Sequence, residues 1–364
     1  MAPVIQYGLV GCGMMGQEHL KNIALLDGAA VAAIYEPNAQ MRTAASVLAP
    51  QARFTASLAD LLDVPNLDCL LIASPNHFHA DQIIEIAATR PLPLLVEKPL
   101  LTDARDIPQL EKIAAIYPAP IWVAMEYRYM PPIAALLENA QAVTGGIQML
   151  TLREHRFPFL QKVDDWNRFN VKTGGTFVEK CCHFFDLMRL ALGQNPVRIM
   201  ASAAQSVNHL TEMYDGHIPD ILDNGYVIVD FDGGARAMLE LCMFAEGARY
   251  QEVISAIGSG GKVEAFVPGP TRFWPTDIGP APIPLLEISP RAPKRPEVRE
   301  VPVDPFLLDA GDHNGSTYYQ HLGFLDLVRG KTPHPAVTFE DGVWAVRMGL
   351  AAQQSAHSGE AVML

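Results

Sequence analysis

"GLVGCGMMGQEHL", residues 8–20, sets Gly11, Gly13 and Gly16 in a G-x-G-x-x-G spacing between an apolar run and a stretch of helical character. Each glycine has a separate physical reason. The first allows a tight turn, the second lets the backbone approach a pyrophosphate, and the third packs helix on strand, with the pyrophosphate at the helix N-terminus. Alone the spacing is weak. Here it follows a predicted strand (4–10), opens a predicted helix (14–27) beginning at Met14 and Met15, and is followed by Glu36, twenty residues beyond Gly16. In that context the five residues Gly11, Gly13, Met14, Met15 and Gly16 form the expected dinucleotide contact. Glu36, at the end of a second strand, would accept hydrogen bonds from ribose hydroxyls and repel a 2′-phosphate, so the expected cofactor is NAD rather than NADP. Arg42, early in the next helix, is the nearby counter-argument.

Working outward, short β runs alternate with helices over residues 1–125. Strands are predicted at 29–35, 68–74, 93–99 and 120–126, with helices at 38–49, about 80–88 and up to Ile116, where Pro108 sits in the first turn. "DCLLIAS" (68–74) is continuously apolar, as a strand buried on both faces requires. This is a doubly wound parallel sheet of the Rossmann type. Lys98 leaves the end of one strand in the crevice where such sheets bind ligands, and Pro99 keeps it extended. "SPNHFHA" (74–80) leaves another, placing Asn76 or His77 near the nicotinamide end. Two histidines without a suitably spaced carboxylate or cysteine make a poor metal set, and no metal is expected.

Beyond residue 126 the pattern lengthens. Alternating runs at 146–155, 197–207, 224–232, 235–244 and 251–257, with the turn "FDGGAR" (231–236), predict a second α+β domain (126–364) on a largely antiparallel sheet. Residues 267–305, rich in proline, read as a long ordered loop, and the C-terminus as a helix and short strand. "GGTFVEKCCHFFD" (174–186) predicts one helix, capped by Thr173 and stopped by Gly193, with Glu179, His183 and Asp186 on one face. Cys181 and Cys182 have no CxxC partner and read as packing.

The bulk properties exclude other classes. In 364 residues, 49% are hydrophobic and 18% charged, a globular composition with room for two cores. A formal charge of −13 argues against nucleic acid and anionic membrane surfaces. Five cysteines without a framework fit a reducing compartment, the N-terminus lacks a secretory pattern, and no apolar run reaches the ~20 residues of a membrane span. A cytoplasmic protein is expected.

Taken together, the G-x-G-x-x-G, "SPNHFHA", "EKP" (97–99), "YRYMPP" (127–132), "DWNRFNVKTGGTFVEKCCHFFD" (165–186) and "SAHSGEAV" resemble the glucose–fructose oxidoreductase, inositol dehydrogenase and MocA family over the whole chain. The resemblance implies an N-terminal Rossmann domain, a C-terminal domain on an open-faced sheet through which a homodimer or homotetramer forms, Lys98 as catalytic lysine and His183 as acid–base residue. Glu179 stands where the family has aspartate, so it either tunes His183 or faces substrate. The implied cofactor contacts add Ser74, Pro75, Asn76, His77, Glu97, Lys98, Trp166 and Arg168. The implied substrate contacts are Arg128, Arg156, Trp166, Lys172, His183 and His313. The activity implied is NAD-dependent oxidation of a sugar or cyclitol hydroxyl. A redox-neutral NAD-dependent glycosidase, as in the sulfoquinovosidase branch, and a non-catalytic NAD sensor are the alternatives. Residues 153–172 also concentrate Arg153, Arg156, Lys162, Arg168 and Lys172, plus His155, against only Glu154, Asp164 and Asp165. That predicts an anionic sugar, bound by Arg156 or Arg168, unless the cations pair with acids around them or lie at a subunit interface.

Overall fold

The computed structural model describes residues 3–364; the first two positions of the predicted N-terminal domain lie outside the described residues. Six parallel strands, β1 (Ile5–Val10), β2 (Ala29–Tyr35), β3 (Arg53–Thr55), β4 (Cys69–Ile72), β5 (Leu94–Val96) and β6 (Ile121–Val123), form a sheet in the order β3-β2-β1-β4-β5-β6. The order reverses between β1 and β4, and the chain leaves the ends of β1, β4 and β5 at Gly11, Ser74 and Lys98. That is the crevice where an open parallel sheet takes its ligand. All of β4 and β5 is buried, which explains their unbroken apolar runs. The three-residue β3 is too short to show periodicity and was not predicted.

The second sheet has nine strands: β7 (Ile147–His155), β8 (Pro196–Ala204), β9 (Asn224–Phe231), β10 (Arg236–Cys242), β11 (Glu252–Gly258), β12 (Gly261–Val267), β13 (Leu285–Pro290), β14 (Glu297–Glu300) and β15 (Val362–Met363). Their order is β14-β13-β12-β11-β7-β10-β9-β8-β15, antiparallel except where β10 runs parallel to β7. Helices Pro131–Thr144, Cys182–Leu192 and Phe339–Ser358 pack against it. Met149 on β7 and Tyr226 and Ile228 on β9, the two strands that flank β10, stay 41–57% exposed.

Two predictions are corrected. Residues 267–305 are not all loop, because β13 and β14 extend the sheet edge. β14 is Glu-Val-Arg-Glu and wholly exposed, so it carries no hydrophobic signal and suits an edge. The predicted 174–192 helix is broken. Thr173 closes a short helix (Asn170–Thr173), the chain turns through Gly174 and Gly175 at positive φ, and Thr176–Glu179 is separated from Cys182–Leu192. A Cβ on Gly175 would lie 2.1 Å from Gln353 Nε2, so the turn sits hard against the last long helix. Gly193 ends the second piece in the left-handed conformation, as predicted. Helices Pro131–Thr144 and Ser316–Val328 were not predicted; the second packs on Met14–Ala24 of the first domain.

Candidate active site

A cleft of about 860 Å³ runs along the ends of β1, β2, β4 and β5 to the segment 161–179. Its floor is the glycine turn. Gly11 has φ +87°, and a Cβ there would lie 2.6 Å from the Ser74 Cα; a Cβ on Gly16 would lie 2.6 Å from the Gly11 carbonyl. Both are glycines for the fold's own sake. Gly13 differs: a Cβ there would meet nothing within 4 Å, so the space above it is left for a ligand. Gly11→Ala should therefore destabilise the protein by about 1–3 kcal/mol. Gly13→Ala should melt like wild type yet bind NAD about tenfold or more weakly, through overpacking against the ligand. Thermal melts and NAD titrations of both variants separate these outcomes; a normal affinity in Gly13→Ala would remove Gly13 from the contact.

Glu36 is buried, and its two carboxylate oxygens accept from the Cys12 N–H at 2.6 Å and the Asn38 N–H at 2.8 Å. The glycine turn and the next loop are thus tied to one negative charge that borders the cleft. Arg42 donates to the Glu36 carbonyl at 3.0 Å. Ser74, Pro75, Asn76 and His77 form one wall, and Ser74 Oγ donates to Gln82 at 2.6 Å. His79 is fully buried behind them, its ring nitrogens 2.8 Å from the Pro99 carbonyl and 3.0 Å from that of Ser74. It joins the two strand-end loops, a role no spacing in the sequence signals.

The opposite wall comes from the second domain: Lys162, Trp166, Lys172 and Glu179. Lys162 pairs with Glu179 at 3.2 Å and lies 4.4 Å over the Trp166 ring, which stands 6.2 Å from the His77 ring across the cleft. Lys98, whose peptide bond to Pro99 is cis, reaches over and donates from Nζ to the Glu179 carbonyl at 3.1 Å. Burial opposes its charge. The Cys182 thiol and the carboxylates of Glu179, Glu97 and Glu126 outweigh that and raise its pKa. Since burial pushes the thiol itself up to about 12, the carboxylates carry the effect near neutrality, and Lys98 is an ammonium.

His183 is buried one step behind this wall, stacked on Tyr127 at 4.0 Å with 5° between the rings, and its Nδ1 has no partner. Burial first, then Lys98, Lys180, His313 and Arg156, lowers its pKa well below 6.5. It is a neutral imidazole that can accept a proton. The helix break sends Glu179 to the cleft while His183 faces Tyr127, and among the described residues no hydrogen bond joins the two. Below Tyr127, Lys180 bonds the Tyr127 hydroxyl and pairs with Glu154 at 2.9 Å, while Tyr127 donates to Glu252 at 3.4 Å. Sequence reasoning missed this buried set because its members lie on four separate segments.

Other predicted residues lie elsewhere. Arg128 forks onto Asp186, donating from Nε at 2.6 Å, and faces Asp341; it does not line the cleft. Arg168 is buried against Glu212 at 2.9 Å, and Arg156 lies 3.6 Å from Glu154 with its Nε on the Phe157 carbonyl. His155 pairs with Glu240 at 2.9 Å. The cations of 153–172 are thus largely matched by acids of the fold, which weakens the case for an anionic sugar. Lys172 has no ion-pair partner among the described residues and lines the cleft. All five cysteines are free, and burial raises the thiols of Cys181 and Cys182, so neither is a nucleophile.

His313 lies outside the cleft, 2.8 Å from Glu18 and 3.5 Å from Glu126, with Thr317 bridging the two carboxylates. Burial would lower its pKa, but Glu126 and Glu18 outweigh that and raise it to about 9. A raised folded pKa gives stability that is complete below the unfolded value near 6.5 and is lost as pH climbs to about 9. Between about pH 6 and pH 9, wild type should lose more Tm than His313→Gln. Parallel melting curves would contradict this.

The cleft, its glycine floor and the two-sheet architecture define a nicotinamide-dependent oxidoreductase. Residues 5–125 match the model of the oxidoreductase family's NAD-binding Rossmann fold, and residues 140–364 match that family's C-terminal alpha/beta domain. The chain belongs to the Gfo/Idh/MocA oxidoreductase family and binds NAD. It is 27% identical over 273 residues to the rhizopine catabolism protein MocA of Rhizobium meliloti, covering 74% of this chain and 79% of that one. It is 27% identical over 263 residues to the inositol 2-dehydrogenase of Rhizobium meliloti (strain 1021), covering 72% and 75%. The myo-inositol dehydrogenase from Lactobacillus casei, solved with NAD(H) and myo-inositol, superposes with a TM-score of 0.74 at 19% identity over 99% of this chain and 97% of that one. Among the described residues no helix is long and apolar enough to cross a membrane.

Proposed function

We propose that the protein oxidises a hydroxyl of a cyclitol or sugar with NAD, using Lys98 and His183 to handle the hydroxyl proton. The observation that carries this reading is Lys98. Its ammonium stands at the end of the cleft between the two domains, where among the described residues its one side-chain hydrogen bond is to the Glu179 carbonyl. Two of its three donors are therefore free for a substrate oxygen. The bound nicotinamide supplies the hydride acceptor. Lys98 stabilises negative charge developing on the substrate oxygen. His183, held neutral by burial, takes the proton, in line with the general-base role its residue type suits. Glu179 keeps Lys162 over Trp166, and so holds the wall that faces His77. The similarity to inositol dehydrogenases favours a polyol. The test is NAD reduction with a panel of cyclitols, neutral sugars and anionic sugars; no reduction with any polyol counts against the reading.

We also propose a homodimer or homotetramer through the open face of the second sheet. Exposed Met149 on β7 and exposed Tyr226 and Ile228 on β9, on either side of β10, support it. Tyr226→Lys combined with Ile228→Lys should shift the mass measured by light scattering towards one chain. A wild-type mass of one chain would refute the assembly.

A further inference from the structure

We infer that His321 and His19 are positioning residues of the active site, fixing the Glu97 carboxylate as an acceptor beside Lys98 through a directed chain of hydrogen bonds. The inference rests on the reading of Lys98 given above. His19 lies in the helix opened by the glycine turn (Met14–Ala24), and His321 in the helix Ser316–Val328, more than three hundred residues away in sequence. Both are fully buried, as is Tyr7 on β1, and Glu97 is 4% exposed. Glu97 Oε1 lies 2.8 Å from His19 Nε2, His19 Nδ1 lies 2.9 Å from His321 Nε2, and His321 Nδ1 lies 3.5 Å from the Tyr7 hydroxyl. The other Glu97 oxygen accepts from the Lys98 backbone N–H at 3.2 Å, and Glu97 lines the cleft. The line therefore starts in the core of the first domain and ends at the residue next to the proposed catalytic lysine.

The chemistry of the four groups leaves little freedom in where the protons sit. An ionised carboxylate cannot donate, so His19 must present Nε2–H to Glu97. In the proposed chain His19 carries that one proton, so its Nδ1 offers a lone pair to which His321 donates from Nε2. His321 keeps a lone pair on Nδ1, which only the Tyr7 hydroxyl can serve. Each link thus fixes the tautomer of the next, and the direction runs from Tyr7 to Glu97. Burial lowers the pKa of His321 well below 6.5, consistent with a neutral ring. Burial would raise the pKa of Glu97, but His19 outweighs it and lowers it, consistent with an anion. Remove His321 and the Nδ1 lone pair of His19 loses its donor, while Glu97 still holds the proton on Nε2. The His19 ring is then held from one side only, and the Glu97 carboxylate loses its fixed orientation.

Nitrogen-15 NMR of the wild-type protein with labelled histidine, with and without NAD, reads the tautomers directly. The expected result is His19 and His321 both neutral and both protonated on Nε2. In His321→Leu the His19 Nδ1 resonance should shift towards that of a lone pair without a hydrogen bond, the proton staying on Nε2. His321→Gln, whose amide can donate to the same His19 nitrogen, should restore the wild-type signal. With NAD and a polyol that reduces it, His321→Leu should lower kcat about tenfold or more while leaving the Kd for NAD unchanged, and His321→Gln should recover it. A His19 protonated on both nitrogens, a His321 protonated on Nδ1, or a His321→Leu variant with wild-type kcat overturns the proposal. The tautomers are read without substrate, so they decide it even if no polyol is oxidised, an outcome that would sink the functional reading alone.

Discussion

Lys98→Met should retain NAD with wild-type affinity and turn over about 10²-fold or more slowly, the scale of losing a charge that stabilises a developing oxyanion. The separation of binding from turnover follows from position. The glycine floor and Glu36 lie on the far side of the cleft from Lys98, and neither contacts its side chain. Methionine keeps the length and apolar stem of lysine, so it removes the ammonium without opening a cavity. The Glu179 carbonyl would lose a donor, which costs about 1 kcal/mol of stability and is small beside the effect on rate. NAD titration with single-turnover kinetics separates the two; wild-type turnover would remove Lys98 from the chemistry.

His183→Ala should also cut turnover by about 10²-fold or more with NAD binding intact, as expected for losing a general base. The burial that lowers its pKa gives a second handle. A base works in its deprotonated form, so activity in the oxidising direction is lost only as pH falls through its own pKa. Because that value lies well below 6.5, the rate should stay level through 6.5 and decline only at lower pH. An acid limb centred at 6.5 would mean that His183 titrates as an exposed imidazole, contrary to its stacking on Tyr127. Alanine leaves space beside the Tyr127 ring, so His183→Gln is the companion variant that keeps the volume and part of the polarity.

The N-terminal half of this architecture is legible because its signals are local. The glycine turn, the apolar strand "CLLI" and the strand-end Lys98 each read from a few adjacent residues, and the cleft forms where the sheet topology requires. The second domain is less legible. β14 is exposed on every residue, and the helix carrying His321 is broadly apolar without a sharp polar face. The broken 174–192 segment misleads for a different reason. Its side-chain periodicity fits one helix, but Gly174 and Gly175 turn the backbone to fit against Gln353, a contact with no local trace. A second break, at Lys180 and Cys181 between Thr176–Glu179 and Cys182–Leu192, separates Glu179 from His183 and so decides the chemistry. The cations of 153–172 fail in the same way: Arg168 meets Glu212, and His155 meets Glu240, through strand pairings and excursions that composition cannot show. The relay from Tyr7 to Glu97 is likewise invisible until the last helices fold back on the first domain.

The central claim is hydride transfer from a polyol carbon to NAD, and a substrate deuterated at the oxidised carbon tests it most directly. The account predicts NADH carrying one deuterium for each molecule of ketone formed, with Lys98→Met accumulating neither. Substrate consumption that leaves no net NADH, with the deuterium returned to a cleaved sugar product, would contradict it.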